Sequence, residues 1–544
     1  MNVKNMSMIK PVRPEVVTLA ASACLLASFN LPLWRHLQQI THSTNATLAI
    51  AFAGLVGLAF NLVLSLLGGR WTLKPVLMVL FPVSAGAAWF MNKYGIVIDA
   101  GMFRNMAETD IGEVRDLLSL KFVGYMALCG GIPALVIWKL PIGYRAGLPG
   151  IVAKLMAIVA SGVIMAVIAL SNYQGLASLF RNHHELRLLV VPSNLVGAGL
   201  AYLNEQVASV REPFAKVGAD AHKALGWASH TRPSLTVLVI GESVRADNFG
   251  LLGYGRDTTP ELAREEGVLA FANVHSCGTE TAVSVPCMFS NLGRKAYAPA
   301  RAQNQEGLLD IIQRAGVKVV WLDNQSGCKG TCARVSYQNL SQSKDSRYCD
   351  SECHDEILLR DLPGMLDTLQ QDTVLVLHQM GSHGPDYYKR YPAGFEHFTP
   401  VCQSNALDAC SRESIVNGYD NTVRYTDHVL ASLIDTLRSR EGKVDSAMLY
   451  LSDHGESLGE YNLYLHGTPY MLAPDQQKHV PMIAWFSTGY RSTFAVDTRC
   501  VGERQAEPLS QDNLFHSMLG LLAIDTSAYE PALDLFAGCR GDKP

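Results

Sequence analysis

Five long apolar segments dominate the first 170 residues of the chain. A membrane-spanning helix needs roughly 20 mostly apolar residues in a row. Lys154 is the only lysine or arginine inside these segments, and its side chain can extend to the membrane interface. We therefore predict an N-terminal α-helical transmembrane domain with five helices, at residues 16–33, 46–67, 75–91, 122–138 and 151–170.

Positive charges in the short loops predict the orientation of these helices. Cytoplasmic loops of membrane proteins carry an excess of lysine and arginine. Such residues lie before the first segment, between the second and third, and between the fourth and fifth, at Lys4, Lys10, Arg13, Arg70, Lys74, Lys139 and Arg145. With these regions in the cytoplasm, five spans place everything after residue 170 on the opposite side of the membrane.

The chain is accordingly predicted to have three parts. Residues 1–171 form the transmembrane domain, and residues 231–544 form a domain in the bacterial periplasm. Residues 172–230 are predicted to be an interfacial connector, because their apolar stretch is interrupted by Pro192 and by glycines. A sixth span would return the last domain to the cytoplasm.

Cysteine usage agrees with this topology. The chain has 12 cysteines, of which Cys24 and Cys129 lie within predicted spans and ten follow residue 270. An even number of cysteines in a soluble region is typical of disulfides formed in an oxidising compartment. The formal net charge of −4 gives no indication of a nucleic-acid partner.

After residue 230, short apolar runs alternate with helical patterns. Buried strands are predicted at residues 235–240, 317–322, 373–378 and 448–451, and helices at 306–315 and 414–438. This alternation predicts an α/β domain with a mainly parallel sheet and helices on both faces.

Two of these strands are followed by residues of the types that bind metals in proteins. Glu242 follows one strand, and Asp453 and His454 follow another. Ligands of α/β sheets bind at the carboxyl ends of the strands. Carboxylate oxygen with imidazole nitrogen suits zinc first and manganese second. An isolated Asp-His pair is usually only a polar turn, but the second strand favours a metal site.

The loop between Cys277 and Cys287 carries three candidate nucleophiles. A hydroxyl is a poor nucleophile unless a base or a metal lowers its pKa. A hydroxyl at a helix N-terminus beside a metal would be activated in this way. The residues alone leave three alternatives open, namely Thr279, Thr281 and Ser284.

Two further groups of polar residues are candidates for binding. His383 and His466 are each followed by glycine, and they could bind a second metal, hold a phosphate or protonate a leaving alkoxide. In the loop after the third span, Asn105, Thr109 and Glu113 would share one face of a helix. That face is either a solvated surface or a patch that meets lipid headgroups or closes over the soluble domain.

These motifs, taken together and in order, resemble one enzyme family. The similar segments are Gly241-Glu242-Ser243, Cys277-Gly-Thr-Glu-Thr281-Ala, Ser284-Val-Pro-Cys287, His378-Gln-Met-Gly-Ser-His383-Gly-Pro385, Ser452-Asp-His-Gly-Glu-Ser457 and His466-Gly467. The family is that of the phosphoethanolamine–lipid A transferases, inner-membrane enzymes of Gram-negative bacteria that include the colistin-resistance enzymes. The resemblance covers essentially the whole chain.

The resemblance implies roles for particular residues. It implies an alkaline phosphatase/sulfatase-like fold, so that residues 231–544 form a zinc-dependent catalytic domain with Thr281 as the nucleophile. One tight zinc would be bound by Glu242, Thr281, Asp453 and His454. His383 and His466 would take part in catalysis and hold phosphate or a second zinc. The substrate would also meet Lys329, and the donor headgroup would meet Asn105, Thr109 and Glu113.

The resemblance also implies five disulfides in the periplasmic domain. The implied pairs are Cys277–Cys287, Cys328–Cys332, Cys349–Cys353 and Cys402–Cys410, with Cys500–Cys539 as the fifth.

The function implied by the resemblance is transfer of phosphoethanolamine. Phosphatidylethanolamine would be the donor and a phosphate of lipid A the acceptor, with a covalent intermediate on Thr281. The product would lower the negative surface charge and confer polymyxin resistance. The chain would contact membrane lipids and act as a monomer. The alternatives are a phosphoglycerol transferase or lipid phosphodiesterase of the same superfamily, and a non-catalytic membrane sensor.

Overall fold

The protein forms two compact units. In the computed structural model one unit, here called the apolar unit, comprises Met1–Ala100 and Leu118–Leu200. The other, here called the sheet unit, comprises Gly101–Leu117 and Ala201–Pro544. The structure describes residues 10–40, 46–108, 118–183, 186–211, 213–225, 227, 230–405, 407 and 410–541.

Four described helices of the apolar unit are each long and apolar enough to cross a membrane. They are Ala46–Leu67, Leu73–Tyr94, Leu120–Lys139 and Leu148–Ser171. They confirm four of the predicted spans and extend three of them at both ends. Among these helices, the Asn61 amide nitrogen donates to the Ser161 hydroxyl at 3.0 Å, a buried hydrogen bond between two of them.

The first predicted span is broken in the structure. Helix Pro14–Phe29 is followed by helix Leu31–Ile40, and the described pair bends by 67°. The bend lies at Asn30, whose buried amide donates to the Leu25 and Val191 carbonyls and accepts from the Val191 amide. These bonds satisfy the polar side chain and tie the bend to a distant segment. The first span is therefore a bent pair, not the continuous helix expected at residues 16–33.

The connector contains helices but adds no candidate span among the described residues. Its longest helix is Ser193–Arg211, preceded by Tyr173–Asn182 and the short helix Leu186–Leu189. Helix Ala100–Glu108 lies between the spans Leu73–Tyr94 and Leu120–Lys139, and its residues from Gly101 onward group with the sheet unit.

The sheet unit is built on an eight-stranded sheet. In chain order its strands are β1 Ser234–Gly241, β2 Leu269–His275, β3 Lys318–Asp323, β4 Ser336–Asn339, β5 Thr373–His378, β6 Asp445–Ser452, β7 His479–Phe486 and β8 Leu509–Ser510. In space they follow the order β8-β2-β7-β6-β1-β5-β3-β4. Only β7 runs against its neighbours, so the sheet is mainly parallel, as predicted.

Both faces of the sheet are covered, which explains why its central strands are apolar throughout. Alternate residues of β1 enter different cores: Leu238 and Ile240 face one, and Val237 and Val239 face the other. The main helices around the sheet are Thr281–Met288, Leu308–Arg314, Leu362–Thr368, Arg412–Arg438 and Asp512–Leu521. β5 coincides with its prediction, while β1, β3 and β6 differ from theirs by one to three residues at an end.

Five disulfides lie in the sheet unit. The observed pairs are Cys277–Cys287, Cys328–Cys332, Cys349–Cys353, Cys402–Cys410 and Cys500–Cys539, which is the pairing that the family resemblance implies. Cys24 and Cys129 are free thiols, and both lie in helices of the apolar unit.

This pairing predicts the thiol content of the chain. The full-length protein, denatured without reductant, should react with two equivalents of an alkylating reagent, because only Cys24 and Cys129 are unpaired. Peptide mapping should place both labels before residue 170. A label on any cysteine after residue 270 would contradict the disulfide set.

Candidate active site

The central strands bring the predicted metal-binding residues together. β1 and β6 are parallel neighbours in which Gly241 pairs with Ser452, so the residues that follow them meet at one edge. Glu242, Asp453 and His454 are fully buried there. His454 Nε2 lies 3.4 Å from Glu242 Oε1 and 3.4 Å from Asp453 Oδ2. The sheet therefore creates a compact cluster of two carboxylates and an imidazole.

Of the three candidate hydroxyls, Thr281 is the one that reaches this cluster. It is the first residue of helix Thr281–Met288, and its hydroxyl donates to Glu242 Oε2 at 2.9 Å and lies 3.4 Å from His454 Nε2. Thr279 instead donates to the Thr468 carbonyl at 2.6 Å. Ser284 Oγ accepts from the Gly278 amide at 3.1 Å. The last two hydroxyls thus stabilise the loop that presents Thr281.

The donor atoms of the cluster fit a metal ion. Asp453 Oδ1 accepts from the amides of Ser243 and His454, whereas the buried Oδ2 accepts no hydrogen bond from a described residue. His454 Nδ1 donates to the Gly455 carbonyl at 2.9 Å, which leaves a lone pair on Nε2 directed into the cluster. Glu242 and Thr281 supply two further oxygens. One nitrogen and three oxygens at this spacing are a suitable ligand set for zinc.

The two predicted histidines lie beside the same cluster. Glu242, His383 and His466 have ligand atoms within 4.8 Å of one another, and the His454 and His466 rings are 4.4 Å apart. Burial lowers the pKa of His383 to about 3. Burial also acts to lower the pKa of His466, but the Glu456 carboxylate, 2.9 Å from its Nδ1, raises it to about 9. The two rings therefore favour different protonation states.

Three residues at the site were not among the predicted site residues. Ser243 has a φ of +59°, a costly conformation for serine, and its hydroxyl donates to Glu242 Oε1 at 2.8 Å. Gln325 Nε2 donates to Glu242 Oε2 at 3.0 Å. Glu456 accepts from Tyr387 and binds His466. The family motifs contain Ser243 and Glu456, but nothing in the sequence around Gln325 indicates its contact with Glu242.

Two of the remaining predicted residues contact residues that are next in sequence to residues of the site. Lys329 Nζ donates to the Ser326 hydroxyl at 2.9 Å, in the loop that also carries Gln325. Asn105 Nδ2 donates to Glu280 Oε2 at 2.6 Å, directly before Thr281 in the chain. Thr109 and Glu113 lie outside the described residues, so their predicted roles remain predictions.

The chain resembles known proteins over nearly its whole length. Residues 234–524 match the Sulfatase family model, and residues 17–207 match that of Phosphoethanolamine transferase EptA/EptB. The chain is 40% identical over 543 residues to phosphoethanolamine transferase EptA of Salmonella typhimurium, with 98% of each chain covered. It is 38% identical over 493 residues to phosphatidylethanolamine transferase Mcr-1 of Escherichia coli, covering 88% of this chain and 90% of the other.

The fold is also that of a solved membrane protein. The lipooligosaccharide phosphoethanolamine transferase A of Neisseria meningitidis superposes with a TM-score of 0.93 at 34% identity. The match covers 97% of this chain and 99% of that one. The resemblance therefore includes the apolar helices as well as the sheet.

The site geometry predicts which residues hold the metal most tightly. Asp453→Asn and His454→Gln should each lose most of the bound metal, because each removes a ligand while nearly preserving side-chain volume. His466→Gln should retain the metal, because Glu242, Thr281, Asp453 and His454 remain. Metal content would be measured by inductively coupled plasma mass spectrometry of full-length protein purified in detergent. If His466→Gln empties the site as fully as His454→Gln, the assignment of the tight site is wrong.

Proposed function

We propose that this chain, which belongs to the phosphoethanolamine transferase family, transfers phosphoethanolamine from phosphatidylethanolamine to a phosphate of lipid A. The chain is an inner-membrane protein with its catalytic sheet unit in the periplasm. One observation carries the proposal: the Thr281 hydroxyl donates to Glu242 and lies beside His454 in a buried cluster. A lipid A acceptor is supported by the family motifs and by an Escherichia coli relative, 29% identical over 471 residues, that is named Kdo(2)-lipid A phosphoethanolamine 7''-transferase.

The proposal includes a bound zinc ion. Glu242, Thr281, Asp453 and His454 would hold it, and their donor atoms fit such an ion. When bound, zinc supplies a positive charge that lowers the pKa of a hydroxyl and offsets the charge of a phosphoryl group. His383 and His466, with Glu242, would hold the phosphoryl group or a second ion.

In the first half-reaction, the Thr281 oxygen attacks the phosphorus of the donor lipid. A bond forms between Oγ1 and phosphorus, and the bond from phosphorus to the diacylglycerol oxygen breaks. The hydroxyl proton has an acceptor in place, because Glu242 Oε2 is 2.9 Å away. The departing diacylglycerol oxygen takes a proton from a nearby histidine N–H or from water. Phosphoethanolamine then remains covalently attached to Thr281.

In the second half-reaction, a phosphate oxygen of lipid A attacks the same phosphorus. The bond to Thr281 breaks, and the threonine recovers a proton. Because one site serves both steps, ping-pong kinetics are expected. Lipid A gains an ammonium group that offsets its negative charge, which would weaken the binding of cationic polymyxins. We expect a monomer to be sufficient, because a single chain supplies the whole cluster.

The nucleophile can be identified by trapping the intermediate. Full-length protein in detergent, given phosphatidylethanolamine without lipid A, should release diacylglycerol and gain one phosphoethanolamine on the peptide that contains Thr281. Thr281→Ala should abolish the adduct and reduce transfer by at least about a thousandfold, as expected for loss of a nucleophile. The measurements are peptide mass spectrometry and the diacylglycerol burst, which would reveal an adduct that water removes quickly.

Ser284→Ala is the matched control. It removes a hydroxyl from the same loop, and it should retain the adduct because Ser284 contacts the Gly278 amide and not the cluster. An adduct mapped to Ser284 or Thr279, or undiminished transfer by Thr281→Ala, would overturn the assignment. The acceptor is tested separately: lipid A from cells that express the protein should gain the mass of phosphoethanolamine.

A further inference from the structure

A fully buried glutamine lies between two chain segments that form the site. Gln511 follows β8, precedes helix Asp512–Leu521 and is 0% exposed. Its backbone amide donates to the carbonyl of His275, the last residue of β2, at 3.0 Å. The side chain does not cap the helix that it precedes. Its hydrogen bonds instead reach the ends of the strands that lead into the site.

The carboxamide of Gln511 joins the segment of the metal ligands to the loop of the nucleophile. Its Nε2 donates to the Ser452 carbonyl at 2.9 Å and to the Asp453 carbonyl at 2.6 Å. Its Oε1 accepts from the Cys277 amide at 2.7 Å. Both hydrogens of the carboxamide nitrogen are therefore used, and so is the oxygen. Asp453 is a candidate metal ligand, and Cys277 begins the disulfide-closed loop that carries Thr281.

The order of the strands explains why a side chain has to supply these bonds. β6 and β7 are antiparallel, and the last pair of their ladder towards the site is Leu451 with Met482. Counting one step further brings Pro481 opposite Ser452, and proline has no amide hydrogen to donate. A buried carbonyl without a donor is costly. Gln511 supplies the donor from beyond β7, because β8 and β2 lie on the opposite side of β7 from β6.

We propose that Gln511 is a positioning residue that fixes the distance between the Thr281 hydroxyl and the metal ligands. This inference rests on the proposed function, since it concerns the first half-reaction. A fully buried side chain cannot touch the lipid, so Gln511 acts through the backbone of Asp453 and Cys277. A displacement of about 1 Å can slow a reaction about a hundredfold. The three hydrogen bonds therefore affect the rate of attack and not the affinity for the donor lipid.

The test separates the rate of attack from lipid binding. Gln511→Met nearly preserves the length and volume of the side chain and removes all three hydrogen bonds. Diacylglycerol release from phosphatidylethanolamine is measured with full-length protein in detergent. We expect kcat to fall by about tenfold to a hundredfold, with KM changed by less than about twofold. Metal content should equal that of the wild-type protein, because all four ligand side chains remain.

A second measurement does not depend on activity. The Cys277 amide is protected from exchange with solvent by its hydrogen bond to Gln511. Hydrogen–deuterium exchange of the peptide that contains Cys277 should therefore be faster in Gln511→Met than in the wild-type protein. Gln511→Asn keeps the carboxamide on a shorter side chain, which cannot span all three partners. It should show a smaller loss of kcat, and it carries the same measurements if Gln511→Met fails to fold.

Asn421→Leu is the matched control. Asn421 is also a fully buried carboxamide, whose nitrogen donates to the Phe398 carbonyl and whose oxygen accepts from the amides of His397 and Phe398. These partners are not residues of the site. The variant should lower the temperature of thermal unfolding, because buried polar groups lose their partners. It should leave kcat and the exchange of the Cys277 peptide unchanged.

The outcomes distinguish positioning from a general effect on stability. If Asn421→Leu slows diacylglycerol release as much as Gln511→Met does, the inference is wrong. A rise in KM with kcat unchanged, metal loss in proportion to the loss of rate, or unchanged exchange at Cys277 would also refute it. If the wild-type protein releases no diacylglycerol, the proposed function fails, and exchange at Cys277 still decides whether Gln511 holds the loop.

Discussion

The parallel register between β1 and β6 determines the positions of Glu242, Asp453 and His454. Gly241 pairs with Ser452, and the ladder continues one step further, where the Asp453 amide donates to the Gly241 carbonyl at 2.9 Å. Glu242 and Asp453 therefore leave neighbouring strands at the same level. Because side chains alternate along a strand, a slip of one residue would turn one of them to the opposite face. The buried apolar residues of both strands oppose such a slip.

Burying this cluster is costly unless its charges are compensated. Two carboxylates side by side in a water-free position are stable only when hydrogen bonds and a positive charge offset the loss of hydration. The amides of Ser243 and His454 satisfy one oxygen of Asp453, and Thr281 and Gln325 satisfy one oxygen of Glu242. The other Asp453 oxygen is left for a cation. The same arrangement that needs a metal for compensation thus places a hydroxyl beside it.

The sequence predicted the parts of the fold that depend on local pattern. The apolar runs of β1, β5 and β6 and the helix Arg412–Arg438 are continuous signals, and the structure places all four near their predicted bounds. Strands β2 and β7 were not predicted. β2 mixes buried and exposed residues, and β7 includes Pro481, so neither shows an uninterrupted apolar run or clean alternation.

Local sequence patterns do not predict which distant residue a single polar side chain contacts. Asn30 interrupts the first span because its amide bonds to Val191, which lies 161 residues away. Gln325 reaches Glu242 only because β3 and β1 both end at one edge of the sheet. Glu242, Asp453 and His454 could be predicted as metal ligands because they follow the ends of two strands. Gln325 lies in a loop whose course depends on tertiary packing.

Residues between the spans Leu73–Tyr94 and Leu120–Lys139 contact the residue that precedes Thr281. Residues 101–108 lie between spans in the sequence, yet they group with the sheet unit in the structure. Asn105 donates to Glu280, and Met102 Cε lies 3.2 Å from the point that a Cβ on Gly467 would occupy. A fragment that starts after the connector would retain Glu242, Thr281, Asp453 and His454 but lose both of these contacts. The candidate metal ligands therefore lie in one stretch of the chain, and the residues that contact Glu280 and Gly467 lie in another.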